Sequence, residues 1–219
     1  MIRTFSNFIS IVFHPLFISI YSYCIYFNIS SVYNQMLFLA APNIYWPLFI
    51  FFLIMSVVFP IITMLLLLKN KVITTISIPK RKERIPVLIF VLIYYSMTYY
   101  IFRFWNLTLL NLLEPFLSFL FAGLLLLVVL ILITLKWKIS IHSASISALC
   151  GGMIAETTIA EPVISFNQTF IINTIILVLV GMVSFSRMYL NAHNFFQIIA
   201  GITIGFFLFF GVVVFQLHI

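Results

Sequence analysis

Charge is scarce in this sequence. Only 7% of its 219 residues are charged, 64% are hydrophobic, and the mean hydropathy is +1.27. A soluble domain does not carry that composition, and the stretches between apolar runs are too short to hold one. The two cysteines, Cys24 and Cys150, fall inside apolar runs where disulfides are not expected, so they do not indicate a redox compartment.

Long apolar runs are abundant instead. Because about 20 helical residues are needed to cross the hydrocarbon of a bilayer, runs of this length predict transmembrane helices, and they exclude the roughly 10-residue alternating strands of a barrel. The sequence predicts an all-α, polytopic transmembrane bundle of about seven spans, with 1–219 as a single integral membrane domain. The predicted spans are 8–29, 47–68, 86–105, 112–135, 142–160, 168–185 and 194–217.

Basic residues are sorted by topology. The net charge is +7, and ten of the eleven Lys and Arg residues fall in connections that alternate to one face of the predicted bundle, with Arg103 on the other. The positive-inside rule makes that face cytoplasmic. The predicted location is a plasma membrane of the bacterial inner-membrane kind. The expected partner is the lipid bilayer and not nucleic acid.

Three short polar breaks interrupt the apolar runs. They cover residues 80–86, 138–143 and 186–193, and two predicted spans separate each break from the next. All three are therefore expected on one side of the membrane. They contain arginines and two histidines, His142 and His193. Guanidinium forks that bind phosphate oxygens, an imidazole that attacks phosphorus and a second that protonates the leaving oxygen are the groups required for metal-independent phosphoryl transfer.

A family resemblance appears in these breaks. Ser186-Arg187-x5-His193-x3-Gln197 resembles the last signature of the type 2 phosphatidic acid phosphatase (PAP2) superfamily, Ser-Arg-x5-His-x3-Asp. The segment from Ser140 to Ser143 occupies the place of the family's Pro-Ser-Gly-His. Arg84-x-Pro86 is similar to the first signature, Lys-x6-Arg-Pro. The resemblance covers roughly residues 80–205.

The resemblance implies a PAP2-like core and a role for each matching residue. His193 is the expected nucleophile and His142 the general acid, and Gln197 occupies the position that orients the nucleophile. The expected substrate ligands are Arg84, Arg187, Ser140 and Ser186, with Arg81, Lys80 or Lys82 in place of the missing lysine. The implied reaction is hydrolysis of a lipid phosphate or isoprenoid pyrophosphate through a phosphohistidine, without a metal or other cofactor.

Two departures from the family pattern leave alternatives open. Gln197 replaces the family Asp and Ile141 replaces its Gly. An amide one helical turn after His193 can accept the ring N–H but cannot stabilise an imidazolium. A catalytically silent lipid-binding or assembly subunit of a larger membrane complex is therefore the main alternative. A weaker one is a transporter with Glu156 and His14 as a proton relay.

Two further motifs predict local structure. His14-Pro15 favours a proline kink with a snorkelling or core histidine over a substrate contact. Gly201-x3-Gly205 predicts close packing of the last span on a neighbouring helix, within the chain or in a dimer.

Overall fold

All regular secondary structure is helical in the part of the chain that the computed structural model describes, residues 1–29, 31–104, 112–159 and 166–217. The helices are α1 (Ile2–Val12), α2 (Pro15–Asn28), α3 (Val32–Ala40), α4 (Tyr45–Leu53), α5 (Phe59–Lys69), α6 (Arg81–Phe104), α7 (Glu114–Lys136), α8 (Ile141–Ile159), α9 (Phe166–Tyr189) and α10 (Phe195–Val214). A π-helical turn, Ile54–Val58, joins α4 to α5.

Within these ranges, five helices are long and apolar enough to cross a membrane. They are Tyr45–Lys69, Arg81–Phe104, Pro115–Lys136, Asn167–Tyr189 and Phe195–Val214. The expected first span is instead a pair, α1 and α2, bent by 63° at the His14-Pro15 break. The all-helical class is thus confirmed for the described residues, and the apolar helices indicate a membrane-embedded protein. The structure gives five candidate spans, or six if the bent pair crosses once, against the predicted seven.

The helix at the expected 142–160 span is the central element of the bundle. α8 packs against α2, α9 and α10, and most of its residues are buried. It carries His142, three serines, two threonines and Glu156, so it is less apolar than the five spans. Lipid-facing side chains belong to its neighbours, as the exposed Phe170, Ile171 and Leu177 of α9 illustrate. This arrangement allows α8 to carry polar groups away from lipid.

Glycines set the distance between α8 and α10. A Cβ on Gly201 would lie 2.7 Å from the Ser140 carbonyl oxygen, and one on Gly205 would overlap the Ala144 carbonyl oxygen. The Ser147 hydroxyl donates across the interface to the Ile202 carbonyl oxygen at 3.0 Å. The small-residue pair therefore packs inside the chain, and it brings the helix that begins beside His142 onto the helix that follows His193.

Substitution of Gly205 tests this packing. We expect Gly205→Ala to lower the stability of the protein by about 1–3 kcal/mol, because the backbone of α8 must move away from the new methyl group. Gly211→Ala is the matched control on the same helix, since no heavy atom lies within 4 Å of its added Cβ. Thermal unfolding in detergent measures both, and equal melting temperatures for the two variants would contradict the assigned contact.

Candidate active site

The three polar breaks meet at one cavity. Its volume is about 790 Å³, and four sequence-predicted residues contribute to its wall. Arg84 comes from the first turn of α6, His142 from the first turn of α8 and Arg187 from the last turn of α9. His193 lies in the connection from α9 to α10. The structure thus gathers side chains that are more than a hundred positions apart in the sequence.

Hydrogen bonds tie the second break to the other two. The Ser140 N–H donates to the Gln197 carbonyl oxygen at 3.2 Å, and Lys138 Nζ donates to the Ala192 carbonyl oxygen at 2.9 Å. Arg84 Nη1 donates to the Ile139 carbonyl oxygen at 3.3 Å. The 137–140 connection therefore lies between the two arginine-bearing segments and fixes their separation.

The cavity is rich in positive charge and short of counter-charge. Arg84 Nε donates to the Ile78 carbonyl oxygen at 3.0 Å, while the buried Nε of Arg187 has no hydrogen-bond partner. In the described ranges the only ion pair joins Lys80 to Glu83, at 3.2 Å, and neither residue lines the cavity. Such a site is electrostatically suited to an anion.

The tautomer of His193 follows from its neighbours. Gln197 Oε1 lies 2.9 Å from His193 Nδ1 and also accepts the Asn194 backbone N–H at 3.4 Å. Since a backbone N–H can only donate, the amide atom between them is an oxygen, and His193 Nδ1 must carry the proton. Nε2 then holds the lone pair that a nucleophile needs.

The same surroundings keep His193 neutral. The pKa of His193 is lowered from 6.5 to about 4, mainly by burial and in part by the charges of Arg84, Lys138 and Arg187, while the hydrogen bond that His193 donates to Gln197 acts in the opposite direction. Burial, with the two arginines, also lowers the pKa of Lys138. At neutral pH the imidazole therefore carries no proton on its nucleophilic nitrogen.

The expected substitute for the family lysine is not at the cavity. Lys80, Arg81 and Lys82 do not line it. Lys138 lies close enough to lower the pKa of His193 and is itself affected by both arginines. Lys138 was not among the predicted site residues, although its position four residues before His142 could have indicated that it lies near the site.

Ser140 and Ser186 make local hydrogen bonds. Ser140 Oγ accepts the Ser143 N–H at 3.3 Å at the start of α8. Ser186 Oγ donates to the Met182 carbonyl oxygen at 2.8 Å. Both serines are fully buried and are absent from the cavity wall, so the structure does not place them as substrate ligands.

His14 is the residue whose position the sequence did not predict. The kink at His14-Pro15 is present, but the imidazole lines the cavity, and its ring centroid lies 5.2 Å from that of His142. Glu156, its partner in the proton-relay alternative, is buried in α8 and does not line the cavity. The two relay residues therefore do not share this site.

No family model, curated protein or solved structure matches this chain. A functional assignment consequently rests on the geometry and chemistry of the cavity.

Phosphate binding tests the anion site. We expect Arg187→Gln to weaken binding of inorganic phosphate about tenfold or more, because a charge-assisted hydrogen bond contributes about 1.5–3 kcal/mol. Lys82→Gln removes the same charge from an exposed position outside the cavity and should leave the affinity unchanged. Isothermal titration calorimetry of the detergent-solubilised protein measures both, and equal losses would indicate a diffuse charge effect instead of a site.

Proposed function

We propose that the protein is an integral membrane phosphatase of the PAP2 type, which hydrolyses a lipid phosphate or an isoprenoid pyrophosphate through a phosphohistidine and without a metal. The observation that carries the proposal is one cavity lined by Arg84, Arg187, His142 and His193. The hydrogen bond from His193 Nδ1 to Gln197 supports it, because that bond leaves Nε2 free to attack.

The proposed reaction has two steps. His193 Nε2 attacks phosphorus, the bond from phosphorus to the leaving oxygen breaks, and His142, as the imidazolium that the negative charge of the bound substrate favours, donates a proton to that oxygen. Water then attacks phosphorus, the bond from phosphorus to His193 Nε2 breaks, and neutral His142 accepts the water proton, which releases inorganic phosphate and restores both histidines. Arg84 and Arg187 hold the phosphoryl oxygens and offset the negative charge that develops on them in both steps.

The shape of the cavity supports a substrate with an apolar tail. Beyond the polar groups its wall is aliphatic and aromatic, with Leu88, Val91, Leu120 and Phe209 among the lining residues. Its volume suits a ligand larger than inorganic phosphate. In this proposal an acyl or prenyl chain occupies the apolar part while the phosphate meets the arginines. The excess of basic residues favours the cytoplasmic face of a bacterial inner membrane for the polar end.

Phosphate release with EDTA present tests the reaction. We expect detergent-solubilised protein to hydrolyse a polyprenyl pyrophosphate or phosphatidic acid, and His193→Ala to reduce kcat by about 10³-fold or more, since it removes the nucleophile. The wild-type protein should also form an acid-labile, alkali-stable phosphoenzyme that His193→Ala lacks.

Lys82→Gln serves as the control for this assay and should keep wild-type activity. Hydrolysis that survives His193→Ala, or that disappears with EDTA, would contradict the mechanism.

A catalytically silent subunit that binds lipid phosphate is the second candidate. Its supporting observation is the chemistry of Gln197, whose amide fixes the His193 tautomer but brings no negative charge to an imidazolium. In a serine-protease triad the corresponding change of carboxylate to amide costs about 10⁴ in rate. The anion site alone would then suffice for the function.

Gln197→Glu distinguishes the two candidates, because it introduces a carboxylate of the same length and keeps the acceptor for the Asn194 N–H. For a phosphatase we expect kcat to rise by about tenfold, part of the 10⁴ that the reverse change costs. In a plot of kcat/KM against pH, the wild-type value should fall as the pH drops through about 4, because protonation of His193 below its pKa of about 4 removes the attacking lone pair.

In Gln197→Glu this fall in kcat/KM should begin at a higher pH, because a carboxylate favours the imidazolium and so raises the pKa of His193. Rates at several pH values measure both effects. No turnover by either protein, with phosphate binding intact, would support the silent subunit.

A further inference from the structure

The elbow between α1 and α2 lies outside the 80–205 segment, yet it forms part of the cavity wall. Ser10 and His14 both line it. The bend of 63° is held by the Tyr21 hydroxyl, which donates to the Val12 carbonyl oxygen at 2.9 Å. The N-terminal helices therefore help to enclose the polar end of the cavity.

The polarity of α1 agrees with this role. Its large apolar side chains Phe5, Phe8 and Ile11 are exposed, whereas Ser6 and Ser10 are buried. A helix of a soluble protein has the reverse arrangement. In a membrane the apolar side faces lipid and the polar side faces the protein, and here the polar side leads to His14 at the elbow.

The hydrogen bonding of His14 defines its tautomer. Nδ1 accepts the Leu16 backbone N–H at 3.4 Å at the start of α2, so the ring proton resides on Nε2 in the neutral imidazole. The His14 ring meets the His142 ring at 86°, edge to face. The backbone of Ser10 also lies near the His142 ring. The turn from Ser10 to His14 thus lies beside His142, and His14 adds an N–H donor to the residues that line the cavity.

We propose that His14 is a third imidazole of the anion site, whose Nε2–H donates to an oxygen of the bound phosphoryl group. This inference rests on the anion site of the proposed function, and it assigns a ligand that the PAP2-like signatures do not contain. Arg84 and Arg187 then hold the phosphoryl group from the α6 and α9 side, while His14 holds it from the N-terminal side.

Two substitutions separate the donor from the helix cap. His14→Asn places an oxygen near the position of Nδ1, so it keeps the cap on the Leu16 N–H but has no donor at the position of Nε2. His14→Gln places an amide N–H near Nε2 and keeps a donor. Inorganic phosphate affinity is measured by calorimetry at about pH 8, where free imidazoles are neutral, so the variants do not differ from wild type in charge.

We expect His14→Asn to weaken phosphate binding about tenfold with an unchanged melting temperature, and His14→Gln to stay within about threefold of wild type. Wild-type affinity in His14→Asn, together with a loss in Arg187→Gln, would overturn the role of His14 and leave the anion site standing. A loss of phosphate binding and a lowered melting temperature in His14→Gln, with His14→Asn like the wild type, would show that His14 is only a helix cap. No phosphate binding by the wild-type protein would overturn the anion site itself.

Discussion

The close contact of α8 with α10 is the constraint on which the rest of the structure depends. Gly201 and Gly205 bring the α10 backbone against the first turns of α8. Without a hydrophobic force between helices in lipid, such backbone proximity and the hydrogen bonds across it are what hold helices together. The contact sets the positions of the N-terminal ends of α8 and α10 relative to each other, and it therefore sets the relative positions of His142 and His193.

The cavity also holds positive charge that no carboxylate of the described residues pairs with. Arg84 and Arg187 converge at a cavity where the described residues provide no carboxylate to pair with them. Arg84 and Arg187 are half-buried, and an unpaired charge that is partly removed from water is costly unless a ligand supplies the opposite charge. Backbone carbonyl oxygens of Ile78 and Ile139 compensate Arg84 in part. A phosphoryl group would complete the compensation, which connects the local electrostatics to the proposed substrate.

Much of the site was predictable because its chemistry is rare in this chain. With so few charged residues, an Arg or His in a polar break is conspicuous, and Arg84, His142, Arg187 and His193 were all identified in this way. The i, i+4 spacing of His193 and Gln197 predicted their hydrogen bond, since that spacing places two side chains on one face of a helix turn. Ser140 and Ser186 do not line the cavity, and their hydroxyls bond locally to backbone groups.

The sequence by itself determined the helical, membrane-embedded class, because apolar run length leaves the backbone no other way to satisfy its hydrogen bonds in lipid. Only the tertiary structure decided that α8 is enclosed by other helices, that Lys138 lies near the arginines and that His14 lines the cavity. These facts depend on bends and on contacts between distant segments. Hydropathy does not encode them, since it records how apolar a helix is but not which neighbour covers it.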